Sequence, residues 1–388
     1  MPRLQGLTIL AMNLDRKKHN LGIIRVLWVN LEGSIGGAER SFILFVRFVP
    51  KDIQIYAACP EGSLINTLSG LSIRTYRISP IWKNFKHFFI WFFYLVLINL
   101  QMMLIIFKTR PQIIHANSTK AALGVVLAKI ITGKILIWHM RDLRCSRLAA
   151  RICSCLSSRV IAVSETVKSK LIELGVKAES IEVIYNGVTT NDLTCKIRKG
   201  NHDSIIFANI GQFVPWKKQF LFVEAAERFL QDGLEAQFII IGDDIFGRDS
   251  KYKRELINKV KASSFASYIE IIGWQNHLDK YWAQIDCLVH TADTEPFGRV
   301  VIEAMMHGVP VIAAESGGPG EIIINGNTGI LFAPDDIEEL IAAMKTISRD
   351  RSLVHNLVTN ARGEIASKFQ ASETANRILQ LYEKLMVA

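Results

Sequence analysis

Short apolar runs that read as strands alternate with helix-patterned stretches along nearly the whole chain, and after a polar break the alternation starts again. Strand-like runs fall at 23–30, 53–58, 72–78, 112–116 and 134–140 and close with SIEVIYNGV, ending at Val188; a second set falls at 204–211, 236–242, 268–272, 285–290 and 309–313. Neighbouring strands that run in the same direction need a crossover between them, usually a helix. The pattern therefore predicts an α/β chain with parallel sheets covered on both faces. At 388 residues the chain exceeds what one hydrophobic core usually serves, and the polar break CKIRKGNHD is the best linker. The predicted organisation is an N-terminal extension (1–20), a doubly wound domain (21–195), a linker (196–203), a second doubly wound domain (204–370) and a terminal helical segment (371–388).

Composition narrows the function classes. The six cysteines (59, 145, 153, 155, 195 and 287) form no CxxC pair and no metal-ligand spacing. The apolar stretch 7–12 is too short for a signal-peptide core, so the thiols are expected to be reduced and the chain cytoplasmic. Charge is uneven: residues 1–200 hold 28 Lys and Arg against 11 Asp and Glu, net +17, and the remainder holds 18 against 25, net −7. Nucleic acid is one partner for such a basic half, but no helix-turn-helix, zinc finger or aromatic-basic ribonucleoprotein signature accompanies it. An anionic membrane surface or a lipid pyrophosphate acceptor accounts for the asymmetry with fewer assumptions, the plain alternative being a solvated basic face. No GxGxxG fingerprint and no GxxxxGK[ST] phosphate loop occurs, which disfavours a dehydrogenase or an ATPase.

The densest run of chemistry is EPFGRVVIEAMMHGVPVIAAESGGPG, from Glu295 to Gly320. Pro296 restricts the backbone ahead of a turn, and Gly298 leaves no side chain between a ligand and the first free amides of the helix that follows. Those amides, with the helix dipole behind them, favour an anion. Glu295 lies just outside the helix and Glu303 within it, and both accept hydrogen bonds from hydroxyls, as the sugar and ribose of a nucleotide-diphosphate sugar would require. Two glutamates at this spacing also occur by chance in helical proteins. The tight turn at Gly308, the strand behind it and the glycine-rich loop 317–321 are what set this run apart. An Asp-x-Asp metal pair is approached only by Asp293-Thr294-Glu295, and Glu295 already belongs to the longer motif, so no metal is expected.

With Glu295, seven residues, Glu303 and then a glycine-rich turn, the sequence resembles the family 4 glycosyltransferases of the GT-B fold, from about residue 23 to about 365. The resemblance implies two doubly wound Rossmann-like domains facing across a cleft, with ligands beyond the carboxyl ends of the strands and a C-terminal helix returning to the first domain. It implies a retaining hexosyltransferase using a nucleotide-diphosphate sugar, with no cofactor and no metal. The loop GSIGGAERS, with Gly36 and Gly37, would lie over the donor phosphates and acceptor. His139, at the end of ILIWHM, would reach the transferred sugar and the leaving phosphate by this resemblance; on its own, a histidine closing an apolar strand reads first as a satisfied core residue. Its neighbours Arg141 and Asp142 are left unassigned. In GQFVPWKKQ, Gly211 ends a strand and Lys217 matches the phosphate-neutralising lysine, while Gln212 stands where the family has arginine, so leaving-group charge falls on Lys217 with Lys218 as its reserve. Lys217 and Glu295 join His139 as the catalytic candidates. Gly36, Gly37, Gly211, Gln212, Lys218, Phe297, Gly298, Arg299 and Glu303 complete the donor site. The competing readings are a nucleotide-sugar epimerase of the same architecture and a non-catalytic membrane-bound scaffold.

Residues 88–107, FFIWFFYLVLINLQMMLIIF, carry no charge and lie between Lys86 and Lys108. The length suffices to cross a bilayer. The strands on either side should belong to one sheet, however, so a crossing would split a domain between compartments. Two expectations stay open: a helix lying in the membrane interface, and a helix enclosed by its own domain or a second subunit. The acceptor expected from the basic, apolar first half is a lipid-linked or surface glycan, such as those of lipopolysaccharide, capsule or exopolysaccharide assembly. The enzyme would be peripheral on the inner face of the plasma membrane.

Overall fold

A computed structural model describes residues 22–79, 88–189 and 204–387. The expected extension at 1–20, the linker at 196–203, Lys86 and Cys195 lie outside the described residues.

The chain divides into two units. The first contains a parallel sheet built from β1 (Ile24–Val29), β2 (Ile53–Cys59), β3 (Arg74–Arg77), β4 (Ile113–Ala116), β5 (Ile135–Met140), β6 (Arg159–Ala162) and β7 (Ile181–Val183). Its spatial order is β3-β2-β1-β4-β5-β6-β7, so the winding reverses between β1 and β4. The second unit holds β8 (Ile205–Ile210), β9 (Ala236–Ile241), β10 (Ile269–Ile272), β11 (Cys287–His290), β12 (Val311–Ala314) and β13 (Ile330–Phe332), in the order β10-β9-β8-β11-β12-β13. Here the reversal lies between β8 and β11, which pair through Cys287 with Phe207 and Leu288 with Ala208. Both sheets are parallel throughout, as the strand–helix alternation requires. β6 and β13, of four and three residues, were not among the expected strands.

The strands are apolar on both faces because helices cover both, and Val26, Trp28, Ile113, Ile137 and Ile161 are fully buried in the first unit. The terminal helix Ala371–Val387 contributes Ala375, Ile378, Leu379, Leu381 and Tyr382 to that same core, and Ser372–Ala388 groups with the first unit. In the second unit Phe207, Phe222, Phe229 and Phe238 interlock, three of the pairs edge-on and one stacked.

The apolar segment forms a helix, Phe88–Thr109, with two dissimilar sides. Ile98, Met102, Ile105 and Ile106 are buried, and the buried Asn99 accepts from the amide of Leu127 at 2.9 Å, tying it to the helix Val126–Thr132. Phe93, Leu97, Leu100, Leu104 and Phe107 are exposed, as are Leu127, Ile130 and Ile131 on the neighbouring helix. Among its described side chains, the unit therefore covers one side of the segment and leaves the other exposed. Among the described residues no helix is long and apolar enough to cross a membrane.

Candidate functional site

In the second unit the carboxyl ends of β8 and β11, the two strands at the winding reversal, each feed a loop that bears on the site. After β8 the chain turns at Gly211, an approach that requires Gly242 in β9's continuation, since a Cβ there would sit 1.8 Å from the Gly211 carbonyl oxygen. The loop reaches Lys217 through the short 3₁₀ turn Pro215–Lys217. After β11 the chain runs His290, Thr291, Ala292, Asp293, Thr294, Glu295. The loops are stitched together: the Thr291 hydroxyl donates to the Lys217 carbonyl at 2.8 Å, and the Asp293 amide to the Trp216 carbonyl at 3.1 Å.

This stitching brings Lys217 Nζ onto Glu295 Oε2 in a direct ion pair, with both side chains nearly buried. His290 Nε2 lies 3.2 Å from the same carboxylate oxygen and 3.5 Å from Lys217 Nζ. Burial alone would raise the Glu295 pKa, but Lys217 and His290 outweigh it and hold the carboxyl well below the usual carboxylate range. Burial and the neighbouring Lys217 charge pull His290 below its ordinary 6.5. The result is a compact group containing one cation, one carboxylate and one neutral imidazole, held dry at the position where doubly wound sheets bind ligands. His290 was not among the expected residues, although it closes an apolar strand as His139 does.

The motif after Glu295 is shaped by backbone contact. Gly317, at φ +57°, and Gly318 lie against the chain so closely that added Cβ atoms would meet the Glu295 carbonyl oxygen at 2.1 Å and the Phe297 carbonyl oxygen at 2.0 Å. The Gly318 amide donates to the Glu295 carbonyl at 2.9 Å. The glycine-rich turn thus supports the loop that carries Glu295, Phe297 and Gly298. Gly298, at φ +96°, is the N-cap of the helix Arg299–Met306. On that helix Glu303 pairs with Arg299 at 3.0 Å. Lys218, in the left-handed region at φ +54°, is engaged by Asp335 at 2.6 Å and Asp293 at 3.3 Å. The Gln212 carbonyl accepts from Gln219 Nε2 at 2.8 Å.

In the first unit, the carboxyl ends of β1, β4 and β5 carry a buried polar network. Arg141 Nε donates to Asn117 Oδ1 at 2.5 Å, and Asn117 Nδ2 to Asn30 Oδ1 at 2.7 Å. His139 is buried, and its Nδ1 lies 3.2 Å from Arg141 and 3.0 Å from His115 Nε2. Gly36 caps the helix Gly37–Val46, where Glu39 Oε2 accepts from the Gly36 amide at 3.0 Å. Desolvation pushes the Glu39 pKa up to about 7. The partners His115, Asn117 and Asn30 carried no recognisable sequence signal. Gly36, Gly37 and His139 thus lie in the first unit and the remaining candidates in the second.

The family model described as "Glycosyltransferase Family 4" matches residues 35–192, and that described as "Glycosyl transferases group 1" matches 195–364. The chain belongs to the family 4 glycosyltransferases, enzymes of the GT-B fold. A relative that spans nearly all of it is the UDP-Gal:alpha-D-GlcNAc-diphosphoundecaprenol alpha-1,3-galactosyltransferase of Escherichia coli, 21% identical over 94% of this chain and 98% of that protein. The capsular polysaccharide biosynthesis glycosyltransferase CapM of Staphylococcus aureus is 22% identical over 74% of this chain and 80% of its own length. Among solved structures, Anabaena HepE in complex with UDP-glucose superposes with a TM-score of 0.81 at 24% identity, covering 93% of this chain and 100% of that one.

Proposed function

We propose that this glycosyltransferase moves a sugar from a nucleoside diphosphate sugar to a hydroxyl of a lipid-linked or surface-glycan acceptor, retaining the anomeric configuration and using protein cations where other enzymes use a metal. The observation that carries the reading is the buried Lys217–Glu295–His290 group at the β8/β11 reversal. A lysine held in poorly hydrated surroundings can exchange its carboxylate partner for a diphosphate as negative charge develops there. Lys218 is already engaged by two aspartates, which leaves Lys217 as the leaving-group cation. Gln212 adds a hydrogen bond without charge, Gly211 keeps the approach open, and the amides around Phe297 and Gly298 face the phosphates. Glu303, beside Arg299, takes the ribose hydroxyls, and Glu295 holds the transferred sugar. His139 donates to a sugar hydroxyl or phosphate oxygen, and the Gly36–Gly37 loop serves donor and acceptor.

In the reaction the bond from the anomeric carbon to the phosphate oxygen breaks while the acceptor oxygen bonds on the same face. The acceptor proton passes to a departing phosphate oxygen. The UDP-sugars named for the Escherichia coli relative and for Anabaena HepE support the donor class, and the undecaprenol-linked acceptor in that relative's name supports the acceptor class. The exposed apolar faces of Phe88–Thr109 and Val126–Thr132, with Lys108, Arg110, Lys129 and Lys134 around them, suit an anionic membrane surface and a peripheral location on its cytoplasmic side. A thermal-shift panel of UDP-, GDP- and ADP-sugars tests the donor half, because a ligand that binds only the folded state raises the melting point by mass action. Selective stabilisation by one nucleotide is expected. No response to any of them would overturn the reading.

A further inference from the structure

Resting on the proposed role of His139, we infer that Tyr382 of the terminal helix is a positioning residue, which through His115 locks His139 in the tautomer whose Nε2 carries the proton. The direction of the hydrogen-bond chain follows from its two ends. Trp28 Nε1 can only donate, and it donates to the Tyr382 hydroxyl at 2.9 Å. The single Tyr382 proton then goes to His115 Nδ1, 2.7 Å away. With Nδ1 accepting, neutral His115 carries its proton on Nε2 and donates to His139 Nδ1 at 3.0 Å. At the far end a guanidinium can only donate, and Arg141 approaches the same His139 Nδ1 at 3.2 Å. The two contacts together call on His139 Nδ1 to accept, the His115 one being the shorter, so its proton sits on Nε2.

That Nε2 is buried and has no hydrogen-bond partner among the described residues, which leaves one oriented donor for a sugar hydroxyl or a phosphate oxygen. Both imidazoles stay neutral because burial, reinforced by Arg141, draws their pKa values well below 6.5. The rings are fixed as well: His115 stacks on Trp28 at 3.8 Å between centroids, and Trp28 stacks on Phe42 at 4.2 Å. Tyr382 and His115 are 267 positions apart in sequence, so the last helix acts on the end of β5 through the core of its own unit.

Histidine-selective ¹⁵N labelling of the full chain, read by long-range ¹H–¹⁵N correlation at pH 7, measures the tautomers directly and needs no substrate. Neutral Nε2–H forms at both His115 and His139 are expected. A protonated Nδ1 on His139, or an imidazolium, overturns the relay. In Tyr382→Phe only the longer Arg141 contact, at 3.2 Å, still favours Nε2–H on His139, and the 3.0 Å contact from His115 loses its direction, so the His139 signal should shift from a single form toward a tautomer mixture. Nucleoside diphosphate release, from whichever UDP-, GDP- or ADP-sugar the stabilisation panel selects, should lose about tenfold in kcat with donor KM within about twofold, a smaller loss than deleting a donor outright. An unchanged tautomer and kcat in that variant also overturn the relay. Full turnover in His139→Ala would instead sink the role given to His139, while the labelling experiment still decides the relay.

Discussion

Lys217 and Glu295 hold each other, so the proposed donor-site roles and a structural commitment fall on the same pair. Lys217→Ala removes the cation proposed to meet the leaving group, and kcat is expected to fall roughly 10²- to 10³-fold. It also strands a buried carboxylate, so a stability loss of about 3–5 kcal/mol should accompany it in denaturant titration. Retained turnover would sink the phosphate assignment. Glu303→Ala should weaken nucleotide binding about tenfold in calorimetric titration, the effect of losing one or two hydrogen bonds to a charged acceptor. Unchanged affinity would refute the ribose contact. Glu39 supplies the pH prediction. Its folded pKa, about 7, lies above the ordinary 4.5, so its proton is bound more tightly in the folded state and stability is lost as pH rises from about 4.5 to 7. The buried His115, His139 and His290 act in the other window, since their depressed values cost stability as pH falls below 6.5. Glu39→Gln keeps an acceptor for the Gly36 amide and removes only the carboxyl's titration. Relative to wild type it should gain up to about 3 kcal/mol between pH 4 and pH 8, measured by urea unfolding at each pH.

At the scale of elements, the glycine-rich turn is what shapes the loop that carries Glu295 into the helix of Glu303. A Cβ at Gly318 would lie 2.0 Å from the Phe297 carbonyl oxygen, whereas Gly326, at φ +71°, has nothing within 4 Å. Gly318→Ala should therefore cost about 3 kcal/mol or more and abolish stabilisation by the nucleotide sugar, while Gly326→Ala should cost about 1 kcal/mol and leave it intact. Equal effects in a paired thermal-shift experiment would mean that the turn does not support the Glu295 loop. The Phe88–Thr109 helix shows the same dependence on surroundings. Its composition is apolar all round, yet among its described side chains the first unit covers one side and leaves the other exposed, with Asn99 anchoring it to the next helix. Leu100→Ser, Leu104→Ser and Phe107→Ser together change exposed positions, so the fold should persist while co-sedimentation with anionic vesicles falls several-fold. Undiminished binding would assign the membrane role elsewhere.

At the scale of the whole molecule, both sheets and nearly all their strands were legible, because a parallel strand buried on both faces leaves a continuous apolar run and its crossover leaves a helix-length gap. β6, next to last in the first sheet, and β13, last in the second, escaped. The Glu295–Gly320 motif was legible for a related reason: turn glycines, a helix start and a strand follow in one stretch, so local geometry alone constrains them. Partnerships were not. That Lys217 meets Glu295, 78 positions on, and that Tyr382 reaches His115 across 267, depends on which strand ends the winding order makes neighbours. The sequence by itself determined the α/β class, the two windings and the candidate loops, since periodicity and backbone freedom are properties of neighbouring residues. Only the tertiary structure decided the hydrogen-bond partners, the carboxyl held ionised and the histidine nitrogen left to donate. Those depend on burial and on distances of about 3 Å between segments that the chain brings together only when folded.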